Sequence, residues 1–258
     1  MSQPSFRELT VVQSQRLTEN MHRVTFENPS LADFPIDADG RYFKLLFHPE
    51  TGKAIRQTQE LNELDGKRPT LRTYTVRHFD ASNLRMDVDF VIHGEGANSG
   101  PASSWANGSQ VGDSILMGGP GPAKFVNTNA DWVFLVGDMT ALPAIAANLE
   151  QLANTAKGVA VIQVKCAADK LDLQKPEGID VVWVVDPDNL VSVVKHQPWR
   201  SGTASVWVAC EFTSMRALRD YFKVERETPK DLLYISSYWK QGINEEEHKI
   251  VKKQDSGI

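Results

Sequence analysis

The feature that most constrains the fold is a change in the pattern of apolar and turn-forming residues. The change occurs at a Gly/Pro cluster, residues 118–122. Before it, short strand-like runs are separated by turn-forming residues, a pattern typical of antiparallel sheets. After it, continuous apolar runs alternate with helix-like segments, as in a parallel sheet that is covered on both faces. We therefore predict two domains of different class, with their boundary at this cluster.

The N-terminal part, residues 1–122, is predicted to be an antiparallel barrel. Its six strand-like runs are residues 6–13, 22–27, 41–47, 72–77, 84–92 and 114–117. Six short strands with turns between them, and one helix opened by Gly100 and Pro101, indicate a closed barrel. The polar stretch 48–69 has no clear period, so we predict a mobile excursion between two strands.

The C-terminal part, residues 123–236, is predicted to be a parallel-sheet α/β domain. Its apolar runs are residues 132–136, 159–164, 181–185, 206–209 and 232–235, and helical spacing covers residues 140–153 and 214–222. Ligands of such a sheet lie beyond the carboxyl ends of its strands. Residues 237–258 form a predicted C-terminal extension with an acidic-then-basic helix, an order that complements the helix dipole.

Composition narrows the class of protein. A chain of 258 residues, 41% hydrophobic and 24% charged, is typical of a globular protein with two domains. No apolar run approaches the roughly 20 residues of a membrane helix, and the first 16 residues lack a signal-peptide core. We therefore expect a cytoplasmic protein without a membrane partner. A net charge of −5 gives no reason to expect a nucleic-acid partner.

The two cysteines, Cys166 and Cys210, are too few for an iron–sulfur centre or a structural zinc site. In a chain of this size they indicate reduced thiols. No histidine or carboxylate stands at metal-ligand spacing from His93, so we expect no metal site.

The strongest candidate site lies in the strand-like stretch from Arg72 to Arg77. In a strand, Arg72 and Tyr74 share one face. Arginine pairs bidentately with phosphate and tyrosine stacks on flat rings, so the pair suits a ligand that has both. Taken alone, the stretch fits an ordinary amphipathic strand equally well. Further along, the helix start at Gly100–Ser103 offers backbone N–H groups to a pyrophosphate, which supports the ligand interpretation.

These motifs, in this order, resemble the flavin domain of the ferredoxin-reductase-like oxidoreductases. Later motifs extend the likeness to nearly the whole chain, which resembles the siderophore-interacting proteins, FAD-dependent ferric-siderophore reductases of bacteria. The stretches that carry the resemblance are residues 72–77, 93–94, 100–105, 137–145, 207–211 and 238–242.

The resemblance implies FAD as cofactor. It implies that Arg72 pairs with the flavin phosphates, that Tyr74 packs on the isoalloxazine and that Thr75 lies near the N5 edge of the ring. The cofactor contacts implied in all are Arg72, Thr73, Tyr74, Thr75, Val91, His93, Gly100, Pro101, Ala102, Ser103, Trp105, Thr140 and Ala141. No catalytic nucleophile or acid–base pair is expected, because flavin itself passes single electrons to Fe(III).

The resemblance also implies a ferric siderophore as substrate. We predict that Lys44, Arg77, Tyr238 and Lys240 line its pocket, since cations on two domains would attract an anionic ferric complex. Lys44 is equally well interpreted as a surface lysine, and Arg77 as a solvated strand residue. Once reduced, Fe(II) is held weakly by hard oxygen ligands and leaves.

The chain departs from the family pattern in three places, and the first two departures affect the electron-donor site more than the flavin site. Met139 stands where the family has Glu, Cys210 where it has Gly, and Lys240 where it has Arg. Asp138 and Met139 also occupy a turn where small residues would admit a pyrophosphate, and an Asp there would repel phosphate. We therefore predict poor or selective nicotinamide binding, with NAD(P)H or reduced ferredoxin as the donor. Cys210 is as readily a buried structural thiol as a functional one.

Two alternatives remain open from the sequence. One is a general NAD(P)H- or ferredoxin-linked flavin reductase, which would be favoured by an intact Gly-rich turn at residues 137–143. The other is a siderophore-binding accessory without reductase activity, which a colourless purified protein would favour.

Overall fold

The computed structural model of the protein describes residues 6–94, 100–187 and 189–255. Its contacts divide the chain into two compact units, Met1–Ala123 and Lys124–Ile258. We refer to them as unit 1 and unit 2; their division directly follows the Gly/Pro cluster. No helix in the described ranges has the length and apolarity that crossing a membrane requires.

The described part of unit 1 is one antiparallel sheet with strand order β4-β3-β7-β1-β2-β6-β5. The strands are β1 (Phe6–Arg16), β2 (Met21–Glu27), β3 (Tyr42–Phe47), β4 (Thr70–Thr75), β5 (His78–Asp80), β6 (Arg85–Val91) and β7 (Ser114–Gly118). The antiparallel class is confirmed, but the predicted strand number of six is wrong. The seventh strand, β5, is too short for alternating hydrophobicity to reveal it.

The sheet is curled, with β4 and β5 at its edges, and is not the closed barrel that was predicted. Curling brings β4 towards β6, where the ring centroids of Tyr74 and Phe90 are 4.4 Å apart. Its interior holds fully buried side chains from most strands, among them Leu9, Phe26, Phe43 and Phe90. Along β1 and β2 these residues alternate with more exposed ones, as expected for strands with one buried face.

The segment between β3 and β4 is packed against the sheet, contrary to the predicted excursion. Ala54 forms a bridge with Phe47, and a short helix, α1 (Thr58–Asn62), follows. Ile55 and Leu64 are only 1% and 4% exposed, in a small cluster with Leu46 and Leu116. The sequence did not reveal this packing, because two apolar anchors in a polar stretch produce no period.

Unit 2 contains a five-stranded parallel sheet, as predicted, with order β10-β9-β8-β11-β12. Its strands are β8 (Trp132–Gly137), β9 (Gly158–Val164), β10 (Ile179–Val185), β11 (Ala204–Glu211) and β12 (Leu233–Trp239). The helices of the two units are α2 (Pro101–Gly108), α3 (Leu142–Gln151), α4 (Leu190–Lys195), α5 (Phe212–Asp220) and α6 (Glu245–Asp255).

Helices cover both faces of this sheet. Val206 and Val208 of β11 lie in a core cluster with residues of α4 and α5. Trp207, between them, points to the other face, where its indole N–H donates to the Lys124 carbonyl oxygen, as does Asn148 of α3. Burial on both faces explains why these strands are continuous apolar runs in the sequence.

Strand β12 runs past residue 237, the predicted first residue of the C-terminal extension. Pairing with β11 continues along β12 through Ser237 and Trp239, so position 237 lies inside a strand. Beyond it, α6 confirms the predicted acidic-then-basic helix. Asp255 of α6 accepts hydrogen bonds from Arg219 of α5.

Candidate functional site

The β3–β4 ladder of unit 1 places Arg72 and Tyr74 on the interior side of the curled sheet. Their register partners are Leu45 and Phe43, which belong to the interior core. Residues directly opposite each other in a ladder share a face. The predicted pairing of a guanidinium and a phenol on one face is therefore present. The Arg72 guanidinium also donates to the Leu71 carbonyl oxygen at 2.8 Å.

Lys44 does not share that face. Its register partner is Thr73, and its ammonium group donates to the Thr73 hydroxyl oxygen at 2.8 Å. Because successive strand residues point to opposite faces, Lys44 and Thr73 lie on the reverse side of the ladder from Arg72 and Tyr74. Lys44 is therefore on the strand face of Thr73 and not on that of Arg72 and Tyr74, and its role in a substrate pocket stays a prediction.

The remaining unit 1 residues of the predicted site lie around the end of β4. Thr75 is buried, and Val91 and Arg77 are half-buried. The Arg77 backbone N–H donates to the Asp87 carbonyl oxygen at 2.9 Å, so the chain after β4 passes to β6. Tyr74 packs against Phe90 of β6. One side of the Tyr74 ring is thus supported by the core of the unit.

The start of α2 has the features of an anion site. Gly100 is its N-cap residue and has no side chain with which to cap the helix, and Pro101 has no N–H to donate. The Ser104 N–H donates to the Gly100 carbonyl oxygen, so the first-turn donors are those of Ala102 and Ser103. The imidazole of His93 lies beside Gly100, with Cε1 3.8 Å from where a Cβ on that glycine would be.

Two predicted cofactor contacts hold α2 in place. The Ser103 hydroxyl accepts from the His93 N–H at 3.1 Å and donates to the His93 carbonyl oxygen at 3.3 Å. Trp105 stacks on Phe26, with ring centroids 5.9 Å apart and an interplanar angle of 6°. Ser103 can therefore offer a phosphate its backbone N–H, while its hydroxyl fixes the helix to the end of β6.

These features fit an FAD molecule in unit 1. A guanidinium and an aromatic ring on one strand face match the phosphate and ring ends of the cofactor. An uncapped helix start matches its pyrophosphate. Among the described residues, no group of three or more His, Cys, Asp or Glu side chains could hold a metal ion.

In unit 2, the carboxyl ends of β8, β11 and β12 are joined by Asp138. Its Oδ1 accepts from the Thr140 N–H and hydroxyl at 2.9 and 2.5 Å. Its Oδ2 accepts from the Glu211 N–H at 2.9 Å and from the Trp239 indole N–H at 2.7 Å. Burial raises the pKa of Asp138, and these four hydrogen bonds oppose that rise.

Asp138 is therefore a structural acceptor and not the phosphate-repelling charge that the sequence suggested. The turn around it is also closed to a phosphate. The N–H groups of Thr140, Ala141 and Leu142 donate within the turn, and Pro143 has none. A Cβ on Gly137 would lie 2.8 Å from the Ala141 Cβ, so strand and helix touch directly. Thr140 and Ala141 shape this turn.

The start of α5 is likewise filled by the protein itself. The Glu211 carboxylate accepts from the N–H groups of Thr213 and Ser214, at 2.5 and 3.3 Å. It also accepts from the Gln241 N–H at 3.3 Å, which ties the segment after β12 to the end of β11. An internal carboxylate thus occupies the helix start where this class of fold commonly holds a ligand anion.

The aromatic and basic residues after Ser237 have separate roles. Tyr238 packs edge-on against Trp207, at 6.3 Å between ring centroids. Burial, together with the neighbouring Tyr234, raises the pKa of the Tyr238 phenol. Trp239 is 40% exposed, and Lys240 places its ammonium 4.7 Å from the centre of the Phe212 ring. Trp239 is thus the exposed member of the motif, and Tyr238 and Lys240 are half-buried.

Both cysteines are free thiols. Cys210 is fully buried, and burial raises the pKa of its thiol, with Asp138 and Glu211 adding to the rise. A buried thiol of this kind is a poor nucleophile. Cys166 donates to the Asp169 carboxylate at 3.1 Å, in a capping arrangement.

The prediction of site residues from the sequence missed Glu211 and Trp239 and misread Asp138. A signal existed for Glu211, because an acidic residue at a strand end directly before a helix is a recognisable capping pattern. No local signal existed for Asp138, whose partners Glu211 and Trp239 are 73 and 101 residues away in the sequence.

Comparison with known proteins agrees with the geometry. A family model described as a siderophore-interacting FAD-binding domain matches residues 10–124, and one described as siderophore-interacting protein matches residues 130–242. The ferric vibriobactin reductase ViuB of Vibrio cholerae is 34% identical over 252 residues, 93% of this chain and 91% of that protein. The NADPH-dependent ferric-chelate reductase of Escherichia coli is 24% identical over 91% of this chain and 92% of its own.

Among solved structures, the siderophore-interacting protein SipS from Aeromonas hydrophila superposes with a TM-score of 0.84. It is 30% identical to this chain, and the match covers 99% of each. The resemblance inferred from the motifs is thereby confirmed. With both family models matched in the expected order, the chain belongs to the siderophore-interacting protein family, and its N-terminal half is the FAD-binding domain of that family.

Proposed function

We propose that the protein is a cytoplasmic, FAD-dependent reductase of ferric siderophores that serves iron acquisition. The observation that carries the proposal is the pairing of Arg72 and Tyr74 on one face of β4, in a unit that also offers the uncapped start of α2. That ViuB is named a ferric vibriobactin reductase supports the substrate class. The two free cysteines agree with a reducing compartment.

The residues of unit 1 hold and orient the cofactor. Arg72 neutralises the phosphates, the N–H groups of Ala102 and Ser103 donate to the pyrophosphate, and Tyr74 supports one face of the isoalloxazine. FAD, when bound, accepts an electron pair and gives up electrons singly to Fe(III). Thr75, Val91 and His93 complete the proposed surroundings of the ring.

The substrate is proposed to be an anionic ferric siderophore. Lys240 of unit 2 is proposed to supply positive charge to this complex, next in the chain to the end of β12 that contains Tyr238. Arg77 is the candidate cation of unit 1. Attraction of a hard-oxygen ferric complex by cations raises its local concentration without requiring a proton transfer. Lys44 is not part of this proposal, because its ammonium group donates to the Thr73 hydroxyl on the face of the β3–β4 ladder opposite to Arg72 and Tyr74.

Electrons are proposed to come from NAD(P)H or from reduced ferredoxin. A nicotinamide donor is supported by the E. coli relative, which is named as NADPH-dependent. A protein donor is favoured by the filled helix starts of unit 2, because such a donor needs no phosphate cradle. The donors are compared directly in an experiment described in the Discussion.

Replacing Arg72 with Ala tests the flavin site. A charge-assisted hydrogen bond contributes about 1.5–3 kcal/mol, so FAD affinity should fall roughly 10- to 100-fold. The affinity is measured by the change in flavin fluorescence on binding to apoprotein. Arg85→Ala is the matched control, since Arg85 is exposed and pairs with Glu27. Unchanged FAD affinity in Arg72→Ala would show that the assignment is wrong.

A further inference from the structure

A chain of hydrogen bonds joins the strands of unit 1 to the end of α2. His22 Nε2, on β2, lies 2.7 Å from the Ser14 hydroxyl oxygen, on β1. The Ser14 oxygen lies 2.9 Å from the hydroxyl oxygen of Ser109, the residue that ends α2. Ser109 in turn donates to the Ala106 carbonyl oxygen at 2.9 Å. The imidazole of His22 is thus connected to the last turn of the helix.

The direction of each hydrogen bond follows from Ser109. We assign the only hydroxyl proton of Ser109 to the Ala106 carbonyl, and in this assignment Ser14 donates to the Ser109 oxygen. Ser14 then has no proton left for His22, so His22 must donate from Nε2. The lone pair of the neutral ring is therefore on Nδ1. That nitrogen is buried and finds no hydrogen-bond partner among the described residues.

The groups that face His22 disfavour a positive charge on it. Its neighbours across the sheet are Arg16 on β1 and the apolar Phe90 on β6, and α2 presents uncharged Ser109 through Ser14. Burial lowers the pKa of His22, and the Arg16 guanidinium lowers it further. Arg16 is itself tied to α2 by its hydrogen bond to Asn107. Protonation would add an Nδ1–H without an acceptor in a site that already contains a cation.

Helix α2, which this series of hydrogen bonds holds, is short. It has eight residues, so a displacement of its last turn moves its first turn as well. Its first turn carries the Ala102 and Ser103 N–H groups that the proposed function assigns to the pyrophosphate. The far end of α2 therefore contributes to the position of these donors, together with the Ser103 hydroxyl and the Trp105 ring that also hold the helix.

We propose that His22 is a positioning residue for the cofactor: neutral His22 locks α2 through Ser14 and Ser109, and protonated His22 releases the helix and weakens FAD binding. The proposal rests on the proposed function, since it requires FAD at the start of α2. It adds a pH response below neutrality, brought about by a residue that does not touch the cofactor site.

The direction in which FAD affinity changes with pH follows from the linkage between FAD binding and proton binding. FAD holds α2 in place and so keeps His22 in the environment that disfavours its charge, whereas without FAD the helix can yield and admit water to Nδ1. FAD binding must therefore lower the pKa of His22. Each unit of difference weakens FAD binding about tenfold as the pH falls from above the FAD-free pKa to below the FAD-bound one. Affinity is full above the usual imidazole pKa of about 6.5 and declines below it.

The test measures FAD affinity of the apoprotein by flavin fluorescence from pH 8 to pH 5. Wild type should lose affinity across this range. His22→Gln should bind as wild type does at pH 8 but lose much of the decline, because its amide donates to Ser14 and does not titrate. Ser14→Ala should bind more weakly at pH 8. His78→Gln, which alters an exposed histidine paired with Asp39, should follow wild type.

A second measurement needs no variant. The pKa of His22 is followed by NMR in wild-type protein with and without FAD, and it should be lower with FAD. Equal values, or a decline in affinity as steep in His22→Gln as in wild type, would overturn the inference alone. Wild-type protein that binds no FAD at pH 8 would overturn the proposed function and this inference with it.

Discussion

At the scale of single residues, Asp138 determines the local structure at the end of the unit 2 sheet. Asp138→Asn keeps the shape of the side chain but puts an NH2 group opposite N–H donors. At least one of the four hydrogen bonds is then lost, which should cost about 1–3 kcal/mol. We expect a lower urea midpoint and a changed emission from Trp239.

The control for this prediction is Asp180→Asn. Asp180 is also on a strand of unit 2, but its side chain is exposed and pairs with Arg200. Such pairs contribute little to stability. If Asp138→Asn unfolded at the wild-type urea concentration, the description of Asp138 as the acceptor that joins three strand ends would be incorrect.

Lys240 is the residue whose positive charge we expect to attract the anionic substrate. We expect Lys240→Ala to raise the apparent KM for an anionic ferric siderophore and to leave FAD content unchanged. The effect should shrink with added salt, because exposed charges are screened within about 8 Å at physiological ionic strength. It should be small for a neutral hydroxamate complex. Steady-state kinetics with the two complexes, at low and high salt, measure this.

Lys249→Ala is the matched control, because Lys249 is an exposed lysine of α6 that pairs with Glu245. Equal losses for anionic and neutral complexes in Lys240→Ala would mean that Lys240 acts by packing on Phe212 and not through its charge.

The residue scale also shows where sequence reasoning succeeds. Arg72 and Tyr74 could be placed on one face from the two-residue period of a strand alone. Lys44 could not be placed, because its side depends on the register with β4, which no local pattern specifies. The hydrogen bonds that connect His22 to Ser109 could not be predicted from the sequence either, because Ser14 and Ser109 are 95 positions apart.

At the scale of elements, α6 is held by polar contacts. His248 bonds to the Ser237 hydroxyl at 2.8 Å, and Lys252 donates to the Ser236 hydroxyl and the Ser237 carbonyl at 2.6 and 3.0 Å. His248 is the one residue of α6 that is classed as buried in the described range. A helix attached in this way should depend on the charge of its contacts more than on hydrophobic burial.

Docking of α6 should weaken as the pH falls from 7.5 to 5.5. Burial lowers the pKa of His248, with Lys252 adding to the effect, and burial also lowers the pKa of Lys252. For a depressed histidine, the stabilisation is present above the usual pKa of about 6.5 and is lost as protons bind below it. Hydrogen exchange of the α6 amides, followed after correction for intrinsic rates, measures the change.

His248→Gln should reduce the pH dependence of that protection, because glutamine can bond to Ser237 without titrating. His196→Gln, at an exposed histidine bonded to the Ser192 carbonyl, should leave it as in wild type. Protection of α6 that is the same at both pH values in wild type would contradict the prediction.

Elements with a strong period were predictable and short or weakly periodic ones were not. The five parallel strands appear in the sequence because burial on both faces makes each a continuous apolar run. β5 has three residues and α1 has five, too few to show a period of two or of 3.6. Their positions come from pairing with β6 and from packing of Ile55 and Leu64.

At the scale of the whole molecule, the electron donor that we expect follows from a property of unit 2: its own carboxylates occupy the positions where a nucleotide phosphate would bind. Reduction of the FAD by NADH, NADPH and reduced ferredoxin should be compared by stopped flow in one preparation. We expect the nicotinamide donors to saturate weakly, with Kd of about 1 mM or more, equivalent to roughly −4 kcal/mol. Tight saturation by either nucleotide, in the micromolar range, would show that phosphates bind elsewhere on the unit.

The two carboxylates at the end of the unit 2 sheet have one more consequence. Asp138 fills the turn before α3, and Glu211 fills the start of α5, so each acts as a permanent internal substitute for a nucleotide phosphate. The phosphates of ATP, AMP and inorganic pyrophosphate would find both positions filled. Turnover of the reductase should accordingly be unchanged when ATP, AMP or inorganic pyrophosphate is added to the assay.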